Sequence, residues 1–346
     1  MLTPTADFYL DPARVGVERE IFARSWQLAG HVGLLKQHND YITAQIGNEP
    51  LLFVNDAGTL RGFFNVCRHR AGPIAYGCGT AKRLVCRYHG WAYDLSGRLL
   101  RATEMDGVDL DISKIHLEPV ALHRCGPLLF VALDPKTPDF EACFPGVTAH
   151  CESLGLQHMQ HVTRRDYPVQ SNWKVYVDNY LEGYHIPLVH PSLNREIDYR
   201  RYVTDLRERH VLQYAPVRET GATHYRSTSA DGQAWYYWLF PNVMLNIYEN
   251  QLQTNIVIPR GADSCVVQFD WYAPEPLPDP NSDVRWNELA KFSEEIQAED
   301  AAICEAVQIN IGSRAYRPGP YSPSRESGVR LFHQLMQQGS AEVLKR

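Results

Sequence analysis

The 346-residue sequence lacks the features of a membrane, secreted or nucleic-acid-binding protein. No segment approaches the roughly 18 consecutive apolar residues of a membrane-spanning helix. The first residues, MLTPTADFYLDPARVG, have neither the basic and apolar regions of a signal peptide nor the Arg- and Ser-rich composition of a transit peptide. The formal net charge of −6 argues against a general affinity for nucleic acid. We therefore expect a cytoplasmic protein with neither a membrane nor a nucleic-acid partner.

Cysteine is too sparse for a disulfide-rich fold, since only eight are spread over the whole chain. Disulfides are rare in a reducing compartment, so clustered cysteines suggest a metal site and scattered ones fill the core. With 44% hydrophobic residues, the chain can bury a substantial core in two domains, and it has no internal repeat. The predicted core fillers are Cys125, Cys143, Cys151, Cys265 and Cys304.

The remaining cysteines fall in one segment, CRHRAGPIAYGCGTAKRLVCRYHGW at residues 67–91. It contains a C-x-H pair and, further on, a C-x-x-H pair. Two thiolates and two imidazoles could hold zinc, or a [2Fe-2S] cluster with the cysteines on one iron and the histidines on the other. Ligand count alone does not separate these metals. Alternating apolar and polar residues before each pair predict two short strands, each leading into a ligand loop.

This segment resembles the Rieske [2Fe-2S] motif of the ring-hydroxylating oxygenase superfamily. The resemblance implies that the cluster ligands are Cys67, His69, Cys86 and His89. Cys78 lies outside the motif and is predicted to be a non-ligand. Imidazole ligands raise the potential of such a cluster, which suits an electron relay.

A second segment, NWKVYVDNYLEGYHIPLVH at residues 172–190, has the apolar spacing of a helix that Pro187 should end near Ile186. Asn179, Glu182 and His185 are three residues apart and should lie along one side of it. The segment resembles the mononuclear-iron motif of the same superfamily, which implies that His185 and His190 are iron ligands. Asn179 and Glu182 are the candidate catalytic residues.

Non-heme iron oxygenases add one carboxylate to two histidines and leave positions open for dioxygen and substrate. The candidate lies in LAKFSEEIQAEDAAICEAVQINIGS, residues 289–313, where Leu289, Phe292, Ile296, Ile303 and Val307 predict the apolar stripe of a long helix. Glu299 and Asp300 flank this stripe at similar angles, so periodicity does not choose between them. The resemblance favours Asp300.

Glu182 indicates a branch of the superfamily. In that superfamily the acidic residue at this position connects the first iron histidine to a Rieske histidine of a neighbouring subunit, and the resemblance implies that this would be His89 of the partner subunit. Most ring dioxygenases have aspartate at this position. With glutamate there, the sequence resembles the choline monooxygenase, carnitine oxygenase and betaine demethylase branch. A carboxylate that orients a ligand histidine is physically plausible.

Aromatic residues are concentrated in AWYYWLFPNVMLNIYENQLQTNIVIP, residues 234–259, which predicts antiparallel strands. A cation over an aromatic face gains about 0.5 to 2 kcal/mol, so these rings could form a cage for a trimethylammonium group. The wider set also includes Tyr236 and Trp238. The substrate-binding candidates are Tyr202, Trp235, Tyr237 and Tyr248.

The predicted fold is α+β, with an all-β Rieske domain and a catalytic domain in which helices cover an antiparallel sheet, as in helix-grip folds. The expected segments are an N-terminal segment at 1–24 that packs on the catalytic domain, the Rieske domain at 25–140 and the catalytic domain at 141–346. A Pro-containing linker is expected at 133–146.

The resemblance implies a terminal oxygenase that uses O2, a Rieske cluster and mononuclear Fe(II), in a homotrimer with electron transfer between subunits. The sequence has no G-x-G-x-x-G dinucleotide motif, so NAD(P)H would act through a separate flavin or iron-sulfur reductase. The expected reaction is monooxygenation or N-demethylation of a quaternary ammonium compound. The alternatives are an oxygenase of an aromatic or other non-ammonium substrate and a Rieske electron carrier without oxygenase activity.

Overall fold

Antiparallel sheets organise both compact units of the chain. The computed structural model of the protein describes residues 2–218, 224–225, 232–275 and 283–345. One unit is Phe22–Phe140, and the other joins Met1–Ile21 to Glu141–Arg346. The sequence placed domain boundaries after residues 24 and 140, and Phe140 lies inside the expected linker.

The unit Phe22–Phe140 is built from strands, with a seven-stranded sheet in the order β1-β10-β9-β4-β3-β2-β5 and a three-stranded sheet β6-β7-β8. Its core includes the four residues from Leu51 to Val54, which are fully buried in the interior strand β3. A two-residue turn joins β3 to β4, and its Ala57 and Gly58 have φ of 52° and 91°, as a type I′ hairpin requires. The strands are β1 (Gln27–His31), β2 (Asp40–Ile46), β3 (Glu49–Asp56), β4 (Thr59–Phe64), β5 (Cys78–Thr80), β6 (Leu84–Val85), β7 (Ala92–Tyr93), β8 (Leu99–Arg101), β9 (Pro119–Cys125) and β10 (Leu128–Ala132).

The second unit has a seven-stranded antiparallel sheet in the order β11-β17-β16-β15-β14-β13-β12. Its strands are β11 (Gln160–Val169), β12 (Val203–Leu206), β13 (His210–Pro216), β14 (Gln233–Leu239), β15 (Val243–Tyr248), β16 (Gln251–Pro259) and β17 (Cys265–Ala273). The strands predicted in residues 234–259 are therefore present as β14, β15 and β16. Each is buried along most of its length because helices cover the sheet.

The helices of this unit include a long one that follows the last strand. They are α1 (Asp7–Leu10), α2 (Arg14–Ala23), α3 (Phe140–Cys143), α4 (Val147–Ser153), α5 (Trp173–Tyr180), α6 (Ile186–Val189), α7 (Leu193–Glu196), α8 (Val284–Ile311) and α9 (Ser327–Leu344). Helix α8 contacts the sheet through Ser293, whose hydroxyl donates to Gln253 Oε1 at 2.8 Å. The α+β architecture agrees with the prediction. Within the described residues, none of these helices is both long and apolar enough to cross a membrane.

The N-terminal segment is held by buried polar contacts within its unit. Glu18 accepts a hydrogen bond from Trp173 Nε1 at 2.7 Å and pairs with the ammonium group of Lys174. Tyr9 donates to Asp178 at 2.7 Å. These contacts join α1 and α2 to α5, which leads directly to the predicted iron histidines.

The cysteines behave as the sequence suggested outside the cluster. The five predicted core fillers are buried. Cys78 is exposed in β5, away from the ligand loops along the chain.

Two details of the predicted helices were wrong. Helix α5 ends at Tyr180 rather than near Ile186, and Pro187 lies in the first turn of the separate helix α6, where proline is tolerated because its missing N–H is not needed. In α8, Ile303 and Val307 are 37% and 38% exposed, so the apolar stripe does not continue through them.

Candidate iron centres

Two loops of the unit Phe22–Phe140 carry the predicted cluster ligands. Cys67 follows β4, and Cys86 follows β6 directly. The two loops have equivalent backbone bonds: each cysteine amide donates to the carbonyl five residues later, and each cysteine carbonyl accepts from the amide four residues later. The fourth residue of each loop, Ala71 or Gly90, has a left-handed φ of 56° or 75°. The same turn therefore presents one cysteine and one histidine from each loop.

The side chains of the two loops lie next to each other in like pairs, cysteine by cysteine and histidine by histidine. Cys67 and Cys86 are buried and unbridged, and the rings of His69 and His89 lie 4.6 Å apart between centroids. The buried Nδ1 of His69 has no hydrogen-bond partner in the described part of the chain, which leaves a nitrogen lone pair available to a metal. Two thiols and two imidazoles are the donor set of a Rieske [2Fe-2S] cluster, so these residues fit that group.

The surroundings of His89 favour its metal-binding form, whereas burial raises the pKa of the Cys86 thiol. The pKa of His89 is lowered by loss of solvation and by the nearby His69 and Arg70, which favours the neutral imidazole that binds metals. The hydroxyl of Tyr93 lies 3.2 Å from Cys67 Sγ. A side chain at Gly72 would meet Cys86 Sγ at 2.9 Å, so glycine keeps the space beside that sulfur open.

The turn after α5 positions the first iron histidine of the second unit. Glu182 accepts hydrogen bonds from the backbone amides of Tyr184 and His185, and the same carboxylate lies 2.7 Å from His185 Nδ1. It thus caps the next helical turn and orients the imidazole at once. Gly183 is required here because a Cβ would lie 2.9 Å from the ring of Tyr202.

Three ligand atoms meet at the end of this turn. One atom each from His185, His190 and Asp300 lies within 4.8 Å of the others. Asp300 Oδ1 is 3.0 Å from His190 Nε2 and 3.7 Å from His185 Nε2. Adjacent ligands with bonds of about 2.1 Å at right angles are about 3 Å apart, so the spacing fits a metal ion. Two histidines and one carboxylate are the donors of a non-heme iron site.

The structure separates Glu299 from Asp300, which the sequence pattern alone could not do. The buried face of α8 includes Ala290, Gln297 and Cys304, and Asp300 lies on the same face, one turn from the last two. Glu299 lies to the side and is 2.7 Å from Nδ1 of His190. Asp300 is therefore grouped with the two histidines, and Glu299 contacts the far side of one imidazole.

Both histidines have the same arrangement. Nδ1 faces a carboxylate, Glu182 for His185 and Glu299 for His190, and Nε2 faces Asp300. Such carboxylate partners place the proton on Nδ1 and leave Nε2 free to bind a metal. Burial lowers the pKa of His190, but Asp300 and Glu299 outweigh it and raise the pKa overall. Without a metal, these two carboxylates thus favour the protonated imidazole of His190.

Asn179, in the last turn of α5, contacts the same carboxylate. Its Nδ2 donates to Asp300 Oδ1 at 2.5 Å. Asn179 therefore fixes the rotamer of Asp300, while its neighbour Asp178 faces the N-terminal segment through Tyr9.

A cavity of about 90 Å³ adjoins these residues. Tyr202 and Tyr248, both predicted to bind substrate, line it. Burial raises the pKa of both phenols well above the ordinary value, so they stay neutral. The tyrosines that line the cavity are Tyr176, Tyr180, Tyr202, Tyr225, Tyr236 and Tyr248.

Among the described residues that line this cavity, Trp235 and Tyr237 do not appear, so their contact with substrate stays a prediction. Successive side chains of a strand point to opposite faces, and Tyr236 takes the cavity side of β14. Tyr237 contacts His150 Nδ1 at 2.6 Å, and Trp235 packs edge-on against the same ring. Tyr236 pairs with Asn246 of β15, which also lines the cavity. The alternation of the strand would have identified Tyr236 if it had been known which face of β14 points to the cavity.

A second cavity of about 650 Å³ lies in the same unit. Trp235 lines it, and Tyr225 and Tyr248 border both cavities. These two rings stack at 3.9 Å between centroids. The stacked pair therefore separates the larger cavity from the one beside the iron ligands.

Two family models match the chain. The ring hydroxylating alpha subunit (catalytic domain) model matches residues 156–339, and the Rieske [2Fe-2S] domain model matches residues 25–113. The two matches fall on the two structural units and contain the two groups of converging ligands.

Individual proteins are similar over nearly the whole chain. A chloroplastic choline monooxygenase of Amaranthus tricolor is 31% identical over 343 residues, which cover 96% of this chain and 76% of that protein. The carnitine monooxygenase oxygenase subunit of Escherichia coli (strain K12) is 30% identical over 353 residues, covering 97% and 93%. A solved quaternary ammonium Rieske monooxygenase, described for carnitine oxidation and inter-subunit electron transfer, superposes with a TM-score of 0.86 at 26% identity, covering 98% and 95%.

Proposed function

Because this chain belongs to the Rieske ring-hydroxylating oxygenase alpha-subunit family, we propose that it is a terminal oxygenase that hydroxylates a small quaternary ammonium compound. The reaction would be monooxygenation or N-demethylation, with O2 as co-substrate. The observation that carries the substrate class is the tyrosine-lined cavity that adjoins all three iron ligands. Similarity to enzymes named for choline and carnitine supports the same class.

The family uses a Rieske cluster and a mononuclear iron, and the donor sets described above fit both groups. We assign the cluster to Cys67, His69, Cys86 and His89. When bound, the cluster supplies electrons and the iron supplies the centre at which dioxygen reacts.

We assign the mononuclear iron to His185, His190 and Asp300. Glu182 and Glu299 hold the two Nδ1 protons, so each imidazole keeps its orientation and presents Nε2 to the metal. A complete three-residue site also favours an oxygenase over a simple electron carrier.

The tyrosines bind and orient the substrate. Burial raises the pKa of these phenols, so their rings are uncharged and offer π faces to a cation. Each desolvated cation–π contact contributes about 1 to 2 kcal/mol. A trimethylammonium group among Tyr202, Tyr236 and Tyr248 would be held by the faces of these rings.

We further propose a homotrimer in which His89 of the partner subunit approaches Glu182. Glu182 contacts His185 directly and is only partly covered, with 13% of its side chain exposed. A separate flavin or iron-sulfur reductase would take electrons from NAD(P)H. The cytoplasmic location also stays a prediction, since the plant relatives are named as chloroplastic.

Turnover with a substrate panel tests the proposal. Iron-replete protein is mixed with a reductase and NADH, and each compound is followed by O2 uptake, product mass and formaldehyde release. We expect coupled product formation with choline, carnitine or a betaine and none with aromatic acids. Coupled turnover of aromatic acids alone would overturn the substrate class and favour the alternative oxygenase function.

A further inference from the structure

The cavity beside the iron ligands is rich in carboxamides. Among the described residues that line it, none is lysine or arginine, and the charged or titratable groups other than tyrosine belong to the iron site. The carboxamides are Asn179, Asn246, Gln253, Asn255 and Gln297. The end of a substrate opposite to its ammonium group would therefore meet neutral hydrogen-bonding groups.

Several of these carboxamides already have partners in the protein. Asn246 Oδ1 accepts from Tyr180 at 2.9 Å. Gln253 donates to Asn255 at 2.8 Å and accepts from Ser293 at 2.8 Å. These residues are fixed by the fold and have less capacity left for a ligand.

Gln297 is different. It is only 2% exposed, and its Oε1 accepts a hydrogen bond from Tyr176. Its Nε2 is buried and has no partner among the residues that the structure describes. A buried donor without an acceptor is unfavourable, and this one belongs to a residue that lines the cavity.

The position of Gln297 suits a contact with substrate. It lies three residues before Asp300 on α8, and residues at this spacing are neighbours on one helix face. A ligand oxygen bound by Gln297 would therefore lie near the iron ligands. Tyr176, whose hydroxyl holds the other end of the carboxamide, is buried in α5 and restricts its rotation.

We propose that Gln297 Nε2 donates a hydrogen bond to a neutral oxygen of the substrate, so that the site selects quaternary ammonium alcohols over quaternary ammonium carboxylates. This inference rests on the proposed function. Burying a carboxylate is costly without a cation or several charge-assisted donors, and the described lining has no lysine or arginine. The carboxylates of Asp300 and Glu182 would balance the charge of a bound Fe(II) and leave no excess positive charge for a substrate carboxylate. A hydroxyl needs only one donor and carries no charge.

Three ligands of similar size separate these contributions. Choline has the hydroxyl, ethyltrimethylammonium lacks it, and glycine betaine replaces it with a carboxylate. Binding is measured by calorimetry on the anaerobic holoenzyme, which avoids turnover. A net hydrogen bond corresponds to a factor of about ten, so we expect choline to bind about tenfold more tightly than ethyltrimethylammonium and at least tenfold more tightly than glycine betaine.

The variant Gln297→Leu removes the donor while keeping most of the volume. Its choline to ethyltrimethylammonium affinity ratio should fall to about one, and ethyltrimethylammonium should bind as in the wild type. Gln338→Leu makes the same substitution at an exposed position of α9 and should keep the wild-type ratio. A merely structural role of Gln297 would weaken both ligands equally, and that result would overturn the inference.

The outcomes distinguish this inference from the proposed function. If none of the three ligands binds, the quaternary ammonium function itself fails. If all three bind the wild-type protein equally well, the function stands and the selection by Gln297 is refuted. The wild-type comparison decides this without any variant, so a leucine variant that fails to fold does not block the test.

Discussion

Glu299 offers the sharpest test of how the iron site is built. Its carboxylate lies 2.7 Å from His190 Nδ1, and His190 is only 1% exposed. The change Glu299→Ala leaves that N–H without its acceptor in a buried place, which costs about 1 to 3 kcal/mol. The cost falls on the metal-binding orientation of the ring, since the carboxylate selects the tautomer with Nε2 free.

The expected loss of iron affinity follows from this cost. One factor of ten corresponds to about 1.4 kcal/mol, so Fe(II) should bind about 10- to 100-fold more weakly in Glu299→Ala. The loss of affinity should lie nearer to 10-fold than to 100-fold, because the Glu299 side chain is 29% exposed and water can replace part of the contact. Glu299→Gln keeps an acceptor oxygen and should lose less.

The assay is competition for Fe(II) against a chelator, with the Rieske cluster content measured separately from its visible absorption. Glu295→Ala changes an exposed glutamate of the same helix and serves as the control for altered charge and helix stability. Wild-type iron affinity in Glu299→Ala would refute the reasoning. Equal losses in Glu299→Ala and Glu295→Ala would do the same, because the effect would then be one of overall charge.

Three further changes test other parts of the structure. Lys174→Met leaves the buried Glu18 carboxylate without its ion-pair partner, and chemical unfolding should show a destabilisation of about 3 to 5 kcal/mol. Adding Glu18→Gln should recover most of this loss. No recovery would contradict the pairing. Burial, helped by Arg207, lowers the pKa of His210 to about 4. As the pH falls from about 6.5 towards 4, the imidazole is therefore protonated in the unfolded chain before it is protonated in the folded one. The folded state should lose about 3 kcal/mol of stability over this range. His210→Phe should show a smaller loss over that pH range, and an unchanged pH profile would count against the assignment. Glu182→Gln keeps an oxygen for His185 and should retain both metals by iron analysis, yet slow coupled product formation at least tenfold; undiminished turnover would remove the proposed bridge.

The cluster loops could be predicted from sequence because the two ligands of each loop are close together in the chain. Cys67 and His69 are two residues apart, and Cys86 and His89 are three apart, so a single turn sets each pair. The motif spacing therefore contained most of the geometry that the structure has. The resemblance to the Rieske family was confirmed by the family match over residues 25–113.

The carboxylate ligand could not be chosen from periodicity because the buried face of α8 is not uniformly apolar. It includes Gln297, which is 2% exposed, and Asp300, while Ile303 and Val307 are exposed. A hydrophobic stripe that includes Ile303 and Val307 therefore does not follow the buried face of the helix. Helix faces that line a polar site violate the usual pattern, and here the violation marks the site itself.

The turn at Glu182 was also hidden by a local rule. Proline was taken as the end of a helix, but Pro187 lies in the first turn of α6, and α5 had already ended at Tyr180. The Glu182 carboxylate accepts hydrogen bonds from the backbone amides of Tyr184 and His185, which lie between α5 and α6. The aromatic residues of β14 alternate between the two faces of the sheet, so a shift of one residue in phase exchanges Tyr236, which lines the cavity, with Trp235 and Tyr237.

The most direct measurement of the central claim is electron paramagnetic resonance of the anaerobically reduced protein treated with nitric oxide. Nitric oxide occupies an open position of a mononuclear ferrous site, and the reduced cluster reports itself in the same spectrum. We predict an iron-nitrosyl signal that choline or another quaternary ammonium compound reshapes and aromatic acids do not. A signal that responds only to aromatic acids would contradict the substrate class, and the absence of any nitrosyl signal in iron-replete protein would contradict the assignment of the site to His185, His190 and Asp300.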